Sequence, residues 1–384
     1  MEMSRSFSLY LDVLRLVAAL AVVLAHWAFP RFTNGDHMWM RRHDLGGDGV
    51  SVFFVLSGLL IAYAAQKRAN EGPGIFAADR LSRLWSVAIP ALGFGITLDV
   101  IGQSIDPSLY AAVGYEGGVT LQALAGCAWF LNQLWFISLQ PGSNGPYWSL
   151  GYEAWYYLIF AVFFFTPGRT RWLAAGLAAV IAGPKILLLM PVWLTGVFVW
   201  RQISSRRPHK YPSRTIATLL AVTPFVLFLM AHKLMLHAQL AELTRTWLGL
   251  DGMAMIGFSD TFLWANILGI LVAIHLFGMS LLLAGQTQSS LVTGKVEPAI
   301  RWLAGGSFAL YLVHFPLMHF FAAVLPGTPD IVWRQALLLV IPIMLAYVFA
   351  ELTERRRVSL QTRLRSLLGH RRSELLPQVG IVES

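Results

Sequence analysis

Long apolar runs recur along almost the whole chain, and short polar or basic segments separate them. A helix needs about 20 apolar residues to cross a bilayer. By this criterion the sequence predicts an all-α membrane protein with about ten transmembrane helices. The predicted spans are 9–30, 48–66, 84–104, 149–166, 172–184, 186–201, 215–235, 262–284, 302–324 and 332–352.

The distribution of basic residues orients these spans. With the N-terminus in the cytoplasm, 21 of the 29 Lys and Arg residues fall inside, 7 fall outside, and Arg15 lies within the membrane. This threefold excess follows the positive-inside rule. Both termini are therefore predicted to be cytoplasmic. The net charge of +9 is explained by topology, and no nucleic-acid partner is expected.

Two segments leave the number of spans open. Residues 121–139 are long enough to cross, but a crossing there would move 16 basic residues to the outside. The polar pair Asn132 and Gln133 next to Trp129 favours an interfacial or re-entrant segment on the outer side. The stretch 172–201 is either one long span or a short hairpin that turns at Pro184–Lys185. The basic residues at both of its ends favour the hairpin.

Composition supports the membrane assignment. Hydrophobic residues make up 56% of the chain and charged residues 13%, with a mean hydropathy of +0.60, whereas a soluble domain has about 25% charged residues. The first apolar run is too long for a cleavable signal peptide. The single cysteine, Cys127, excludes an internal disulfide framework, and no multi-ligand cluster suggests a metal. Two parts are predicted, a membrane domain over 1–355 and a basic cytoplasmic tail over 356–384.

The first span carries two costly polar residues, Arg15 and His26, in LDVLRLVAALAVVLAHWAF. Eleven residues are close to three helical turns, so both side chains share one face of the helix about 16 Å apart. Ionisable groups at membrane depth are candidates for function. The structural alternatives are that Arg15 snorkels to the cytoplasmic face or pairs with Asp12, and that His26 is a histidine at the interface beside Trp27.

Two further features lie on the next spans. The segment GGDGVSVFFVLSGLLI begins with small residues and carries Ser57–Gly58 at its middle, which favours either close helix packing or a close approach of backbone to a ligand. Arg80 and Arg83 precede the third span on the inner face. They are either topological charges or a site for a phosphate-bearing cytoplasmic ligand.

The remaining candidates are aromatic and polar residues of later spans. In YWSLGYEAWYYLIF, Glu153 lies among aromatic residues that include Trp148 and Tyr152. This combination suits the binding of a sugar. The structural alternative is a glutamate that caps its own helix or pairs with a neighbouring helix. In FALYLVHFPLMHF, Tyr311 and His314 share a helix face. The histidine is either buried and hydrogen-bonded or in contact with a ligand.

Together these motifs resemble the acyltransferase-3 family of bacterial membrane acyltransferases. The resemblance covers about residues 8–355, and the motifs follow the order of the family. They are LDVLRLVAALAVVLAH, GVSVFFVLSGLLI, RLSRLWSVAIP, YWSLGYEAWYYLIF and LYLVHFP.

Three features depart from the family pattern. Phe308 follows Ser307 where the family often has tyrosine. The last span ends ELTERRRV, where the family often has glutamate followed by proline, so either Glu351 or Glu354 is the equivalent residue. No esterase-like domain follows the last span, and transfer is therefore expected from the membrane domain alone or with a partner.

The resemblance implies the transfer of an acyl group, often acetyl, from cytoplasmic acyl-CoA to a hydroxyl of a cell-surface glycan or lipid-linked saccharide, at the bacterial cytoplasmic (inner) membrane. The roles that follow are three. Arg15, Arg80, Arg83 and Ser57 would bind the donor. His26 would act as general base or transient acyl carrier, assisted by Glu153 and Arg15. Trp148, Tyr152, Tyr311 and His314 would contact the acceptor.

Other functions fit the same spans. A glycan or lipid transporter or flippase would also need a polar stripe across the membrane, and it would move substrate without consuming acyl-CoA. A non-catalytic scaffold would tolerate substitution of Arg15, His26 and Glu153. A membrane acyltransferase of an unrelated family would also use an intramembrane histidine.

Overall fold

The computed structural model describes residues 3–111, 119–205, 213–284 and 296–369. Within these ranges the chain consists of helices and irregular connections and has no β-strand. Four short 3-10 turns, at Ala69–Glu71, Gly145–Tyr147, Gly257–Ser259 and Glu354–Arg356, join some of the helices. The basic residues Arg206, Arg207, Lys210, Lys295, Arg371 and Arg372, which entered the topology prediction, lie outside the described residues.

Seventeen α-helices occur in the described ranges. In chain order they are α1 Arg5–Trp27, α2 Pro30–Thr33, α3 Met38–Arg42, α4 Leu45–Lys67, α5 Gly72–Ile105, α6 Pro107–Ala111, α7 Leu121–Ala128, α8 Trp148–Phe165, α9 Thr170–Ala182, α10 Pro184–Ser204, α11 Arg214–Lys233, α12 Leu236–Ile256, α13 Phe262–Leu283, α14 Val296–Ala304, α15 Ser307–Val324, α16 Val332–Leu352 and α17 Arg357–Gly369.

Each of the ten predicted spans falls on a helix. Eight helical stretches of the described residues are long and apolar enough to cross a membrane, and they include all the predicted spans except those of α8 and α9. Apolar side chains face outward where lipid would lie, such as Leu219, Val222 and Phe225 on α11 and Val340 and Met344 on α16. The predicted class, an all-α membrane protein, is confirmed. The number of ten and the cytoplasmic termini stay predictions.

Residues 121–139 do not form a span. The helix α7 has only eight residues, about 12 Å at 1.5 Å per residue, and the chain then runs irregularly to Asn144. Trp135 donates its backbone N–H to the carbonyl of Ala182 at 3.1 Å, and the Lys185 ammonium donates to the Ile137 carbonyl at 2.7 Å. This segment is therefore fastened to the junction between α9 and α10.

The stretch 172–201 is two helices rather than one. The chain breaks at Gly183, whose φ of 85° lies in the left-handed region that favours glycine. A Cβ at this position would come within 2.7 Å of the Trp135 backbone. The break and the irregular segment therefore depend on each other.

The chain between the predicted spans 215–235 and 262–284 is mostly helical, since α12 covers Leu236–Ile256 and is interrupted at Gly249. Its mixture of polar and apolar residues leaves no continuous apolar run, so the sequence does not predict this helix.

In the predicted tail, α17 packs against α5, and Asp79 accepts hydrogen bonds from Gln361 and Arg365 at 2.6 and 2.7 Å. The rest of the predicted tail, 370–384, lies outside the described residues.

The helices α4 and α10 pack at backbone contact. A Cβ added to Gly58 would lie 2.0 Å from the Trp193 carbonyl oxygen, and one added to Gly196 would lie 1.9 Å from the Val55 carbonyl oxygen. Small residues allow this approach, as is common between membrane helices. The contact presents Ser57, which precedes Gly58, to the space between α4 and α8.

We expect Gly196→Ala to lower the thermal stability of the detergent-purified protein. The added methyl group must separate α4 from α10, and overpacking of this kind costs about 1–3 kcal/mol. Gly176→Ala is the matched control, because Gly176 is an exposed helical glycine and a Cβ added there would meet no atom within 4 Å. Equal melting temperatures for the two variants would contradict the packing argument.

Candidate active site

One cavity of about 480 Å³ is lined by half of the site residues predicted from the sequence. Its walls come from α1, α4, α5, α8 and α15, from the end of α14 and from the chain that follows α16. Arg15, Ser57, Arg83, Glu153 and Tyr311 all line it. Residues from five distant parts of the sequence therefore face one space.

Glu153 is the centre of a hydrogen-bond network in this cavity. Ser57 Oγ donates to Glu153 Oε1 at 2.7 Å, and the Tyr157 hydroxyl donates to the same oxygen. Ser57 in turn accepts from Trp193 Nε1 at 3.2 Å. The close packing of α4 on α10 thus holds Ser57, and Ser57 holds the carboxylate. Tyr157 is one of the aromatic residues that surround Glu153 in the sequence, but neither Tyr157 nor Trp193 was predicted to be a site residue, because an aromatic residue in a membrane helix carries little signal of its own.

The cavity has an excess of positive charge. Four guanidinium groups line it, those of Arg15, Arg83, Arg355 and Arg357, against the two carboxylates Glu153 and Glu354. Arg15 lies 3.5 Å from Asp12, which is a loose contact. The Arg83 guanidinium forms neither a hydrogen bond nor an ion pair with any described residue. Its five donors are therefore free for an anionic ligand.

The structure distinguishes the two glutamates that follow the last predicted span. Glu354 faces the cavity and accepts the backbone N–H of Ala309 at 3.0 Å, which caps the N-terminus of α15. A carboxylate at that end of a helix is stabilised by the unpaired N–H groups and the helix dipole. Glu351 is exposed and pairs with Arg355 and with Trp302 Nε1. Glu354 is therefore the glutamate of this site.

His26 and His314 contact each other beyond the cavity. A carbonyl oxygen only accepts, so His314 Nδ1 donates to the Leu310 carbonyl at 3.0 Å and leaves Nε2 unprotonated in the neutral ring. That Nε2 lies 3.1 Å from His26 Nδ1, which also lies 3.0 Å from the Val22 carbonyl. Both neighbours of His26 Nδ1 are acceptors, and the neutral ring therefore carries its proton there.

The tautomer leaves His26 Nε2 with a lone pair. This nitrogen forms no hydrogen bond with any described residue, and the side chain is half-buried. An imidazole in this state is a proton acceptor. Tyr311 connects the histidines with the cavity, because it lines the cavity and its ring centroid lies 6.3 Å from that of His314.

A buried loop supports α15 next to the histidine pair. Pro316 has no N–H, so the carbonyl of Leu312 lacks its donor within the helix. Asn144 Nδ2 supplies that donor at 2.9 Å. The preceding Ser143 is fixed in turn, since its N–H and hydroxyl donate to Asp99 at 2.8 and 2.6 Å. The proline in LVHFP was the one sequence signal for this arrangement.

Besides His26 and His314, three predicted site residues are not among the residues that line the cavity. Tyr152 is fully buried and shares a hydrogen bond with Ser259 at 2.8 Å. Trp148 stacks on Phe258 with centroids 4.9 Å apart. Arg80 lies over the Phe76 ring, 5.8 Å from its centroid. Among the described residues, no group of His, Cys, Asp and Glu side chains could hold a metal ion.

The sequence is similar to known acyltransferases along most of its length. The profile of the acyltransferase-3 family, described as an acyltransferase domain, matches residues 8–351. The peptidoglycan O-acetyltransferase OatA of Listeria monocytogenes serovar 1/2a is 24% identical over 374 residues, which are 92% of this chain and 55% of that protein. The acyltransferase MdmB of Streptomyces mycarofaciens is 29% identical over 178 residues, 44% of this chain and 43% of that protein. No solved structure gives a significant match.

These similarities confirm the family resemblance of the motifs. The chain spans about half the length of the curated relatives it matches. The family match covers most of the chain, and the family's description as an acyltransferase domain agrees with the predicted enzyme class, an acyltransferase that acts on groups other than aminoacyl groups. A transporter or flippase is not favoured. The chain belongs to the acyltransferase-3 family of membrane acyltransferases.

Proposed function

We propose that this protein transfers an acyl group, with acetyl as the first candidate, from cytoplasmic acyl-CoA to a hydroxyl of a cell-surface glycan or similar acceptor. One observation carries the proposal: the cavity that holds the unpaired Arg83 reaches Tyr311, and the histidine pair lies next to that residue. A donor site and a proton acceptor are thus adjacent. Of the two relatives, OatA is named for O-acetylation of peptidoglycan, and this supports a glycan as the acceptor.

The charge of the cavity suits the donor. Coenzyme A carries several phosphate oxyanions, and guanidinium groups bind phosphate by paired hydrogen bonds. Arg355 and Arg357 follow α16 and line the same cavity, on the side that the charge distribution predicts to be cytoplasmic. In this proposal Arg83 and Arg15 contact the donor inside the cavity, and Arg80 adds positive charge behind it.

The chemistry needs one proton acceptor. As the acceptor hydroxyl attacks the thioester carbonyl carbon, His26 Nε2 removes the hydroxyl proton, the C–S bond breaks, and the new C–O ester bond forms. The CoA thiolate leaves and takes up a proton to give CoA–SH. If His26 instead carries the acyl group transiently, the same Nε2 is the attacking atom. The Val22 carbonyl and His314 Nε2 both accept from His26 Nδ1 and keep His26 in this tautomer in either case.

Glu153 lines the cavity in which the donor is proposed to bind. Its carboxylate accepts from Ser57 and Tyr157 and forms no hydrogen bond with His26. We therefore assign to Glu153 the orientation of substrate in the cavity, together with Ser57 and Tyr311. Trp148 and Tyr152 would support the outer end of α8. The enzyme would work in the bacterial cytoplasmic membrane.

A first prediction separates His26 from His314. His26→Ala should lower acyl transfer from acetyl-CoA by about 10²–10⁴-fold, as for the loss of a general base. His314→Ala should cost about tenfold, because the Val22 carbonyl still accepts from His26 Nδ1 and preserves the tautomer. The measurement is release of free CoA and labelled acceptor by the purified protein, with melting temperatures to verify folding. Equal losses, or wild-type transfer by His26→Ala, would contradict the assigned roles.

A second prediction concerns donor binding. Arg83→Ala should raise the KM for acetyl-CoA about 10- to 100-fold, the cost expected for a lost hydrogen bond between charged groups. Arg83→Lys should recover part of the loss, since it restores the charge without the forked donors. Arg201→Gln is the matched control, because Arg201 is exposed near the end of α10. An unchanged KM in Arg83→Ala, or transport of the acceptor without consumption of acetyl-CoA, would overturn the donor assignment.

A further inference from the structure

Two arginines lie beside His26 on the side away from Arg15, and the reaction as described does not use them. The Arg41 guanidinium carbon lies 3.5 Å from the centroid of the Phe29 ring, and that of Arg31 lies 4.2 Å from the same centroid. The Phe29 ring itself is stacked with the His26 ring at 6.2 Å. Both guanidinium groups are therefore gathered around one aromatic ring that adjoins the proposed base.

No carboxylate neutralises this pair. Asp44 attracts Arg41 from a distance, yet its side chain accepts from the Gly47 N–H and caps α4. Asp36 accepts from Gln335 at 2.9 Å. Among the described residues, neither arginine forms an ion pair.

The hydrogen-bonding groups of the two arginines are mostly unused. Arg41 donates one hydrogen bond, to the Ala25 carbonyl at 3.3 Å, directly before His26. Arg31 donates none to the described residues, and its Nε is buried without a partner. Burial lowers the pKa of Arg31 to about 10, and the Arg41 charge adds to this effect. A half-buried cation with free donors is costly unless a ring face or an anion compensates for the lost water.

We propose that Arg31 and Arg41 form a subsite for an anionic group of the acceptor, a carboxylate or a phosphate carried next to the hydroxyl that is acylated. The inference rests on the proposed function and deepens it by naming the acceptor class, an acidic or phosphorylated glycan. Guanidinium groups bind both kinds of oxyanion in bidentate fashion, and the Phe29 face holds them in place. The sugar ring would lie between the anion and His26 Nε2.

A binding experiment tests this subsite without requiring turnover. The full-length protein is placed in phosphatidylcholine nanodiscs with saturating CoA, so that the arginines of the inner cavity are occupied. Its melting temperature is then measured against glucuronate, glucose 6-phosphate and neutral glucose at equal ionic strength. We expect stabilisation by the two anionic sugars and none by glucose.

Single variants assign the effect to the arginines. Arg31→Gln and Arg41→Gln should each weaken the apparent affinity for the anionic sugars about tenfold or more, as for one lost charge-assisted contact. Arg42→Gln is the matched control, because Arg42 is the exposed neighbour on α3. Arg41→Lys keeps the charge and should retain part of the affinity, which guards against a variant that merely folds poorly.

Three outcomes would overturn the subsite. The first is equal stabilisation by glucose and glucuronate. The second is an Arg42→Gln variant that loses as much affinity as Arg41→Gln. The third is stabilisation in phosphatidylglycerol nanodiscs that depends on Arg31 and Arg41 without any response to sugars, since that would assign the pair to a lipid headgroup. Acetyl-CoA turnover is measured separately, so anion binding without turnover would refute the proposed reaction and leave the subsite standing.

Discussion

The hydrogen bond between His26 and His314 is the interaction on which the candidate site depends. It joins α1 to α15, two helices that are 288 residues apart at this point. Each ring is also anchored to a backbone carbonyl one turn earlier in its own helix. Because both anchors only accept, the protons are forced onto the Nδ1 atoms, and His26 keeps a free lone pair on Nε2. Apolar surroundings make such an arrangement durable, since water does not compete for the same groups.

Two further groups of hydrogen bonds hold α15, the helix that carries His314, in place. On one side, Asp99 fixes Ser143, and Asn144 repairs the helix that Pro316 would otherwise leave with an unpaired carbonyl. On the other side, Glu354 caps α15, the helix that carries Tyr311 and His314. Unsatisfied polar groups are expensive inside a membrane protein, so these partners are structural requirements. The position of the catalytic candidates is thus set by satisfied backbone groups as much as by apolar packing.

How far the sequence predicted this arrangement depended on the range of the interactions. Spans such as α1 and α13 were predictable because a continuous apolar run is a local property. The candidates Arg15, Ser57, Arg83 and Glu153 could be chosen one by one because polar residues at membrane depth are rare. Their meeting in one cavity follows from helix packing, which the single sequence does not encode in a readable pattern. The same limit applies to Glu351 and Glu354, three residues apart, since a short 3-10 turn decides which of them faces the cavity. The helix α12 was missed for another reason, because its polar residues interrupt every apolar run.

Positive charge lies on both sides of the histidine pair. The cavity below Tyr311 holds more guanidinium than carboxylate groups, and it suits a polyanionic donor. The residues around Phe29, on the far side of the histidines, are cationic as well. Tyr311 lies between the two regions, and its hydroxyl hydrogen-bonds to Ser149 at 2.8 Å and to the Pro146 carbonyl at 3.1 Å. Two cationic regions with an imidazole between them are what the proposed function requires, because a donor and an acceptor would then approach His26 from opposite sides and an acyl group would pass between them.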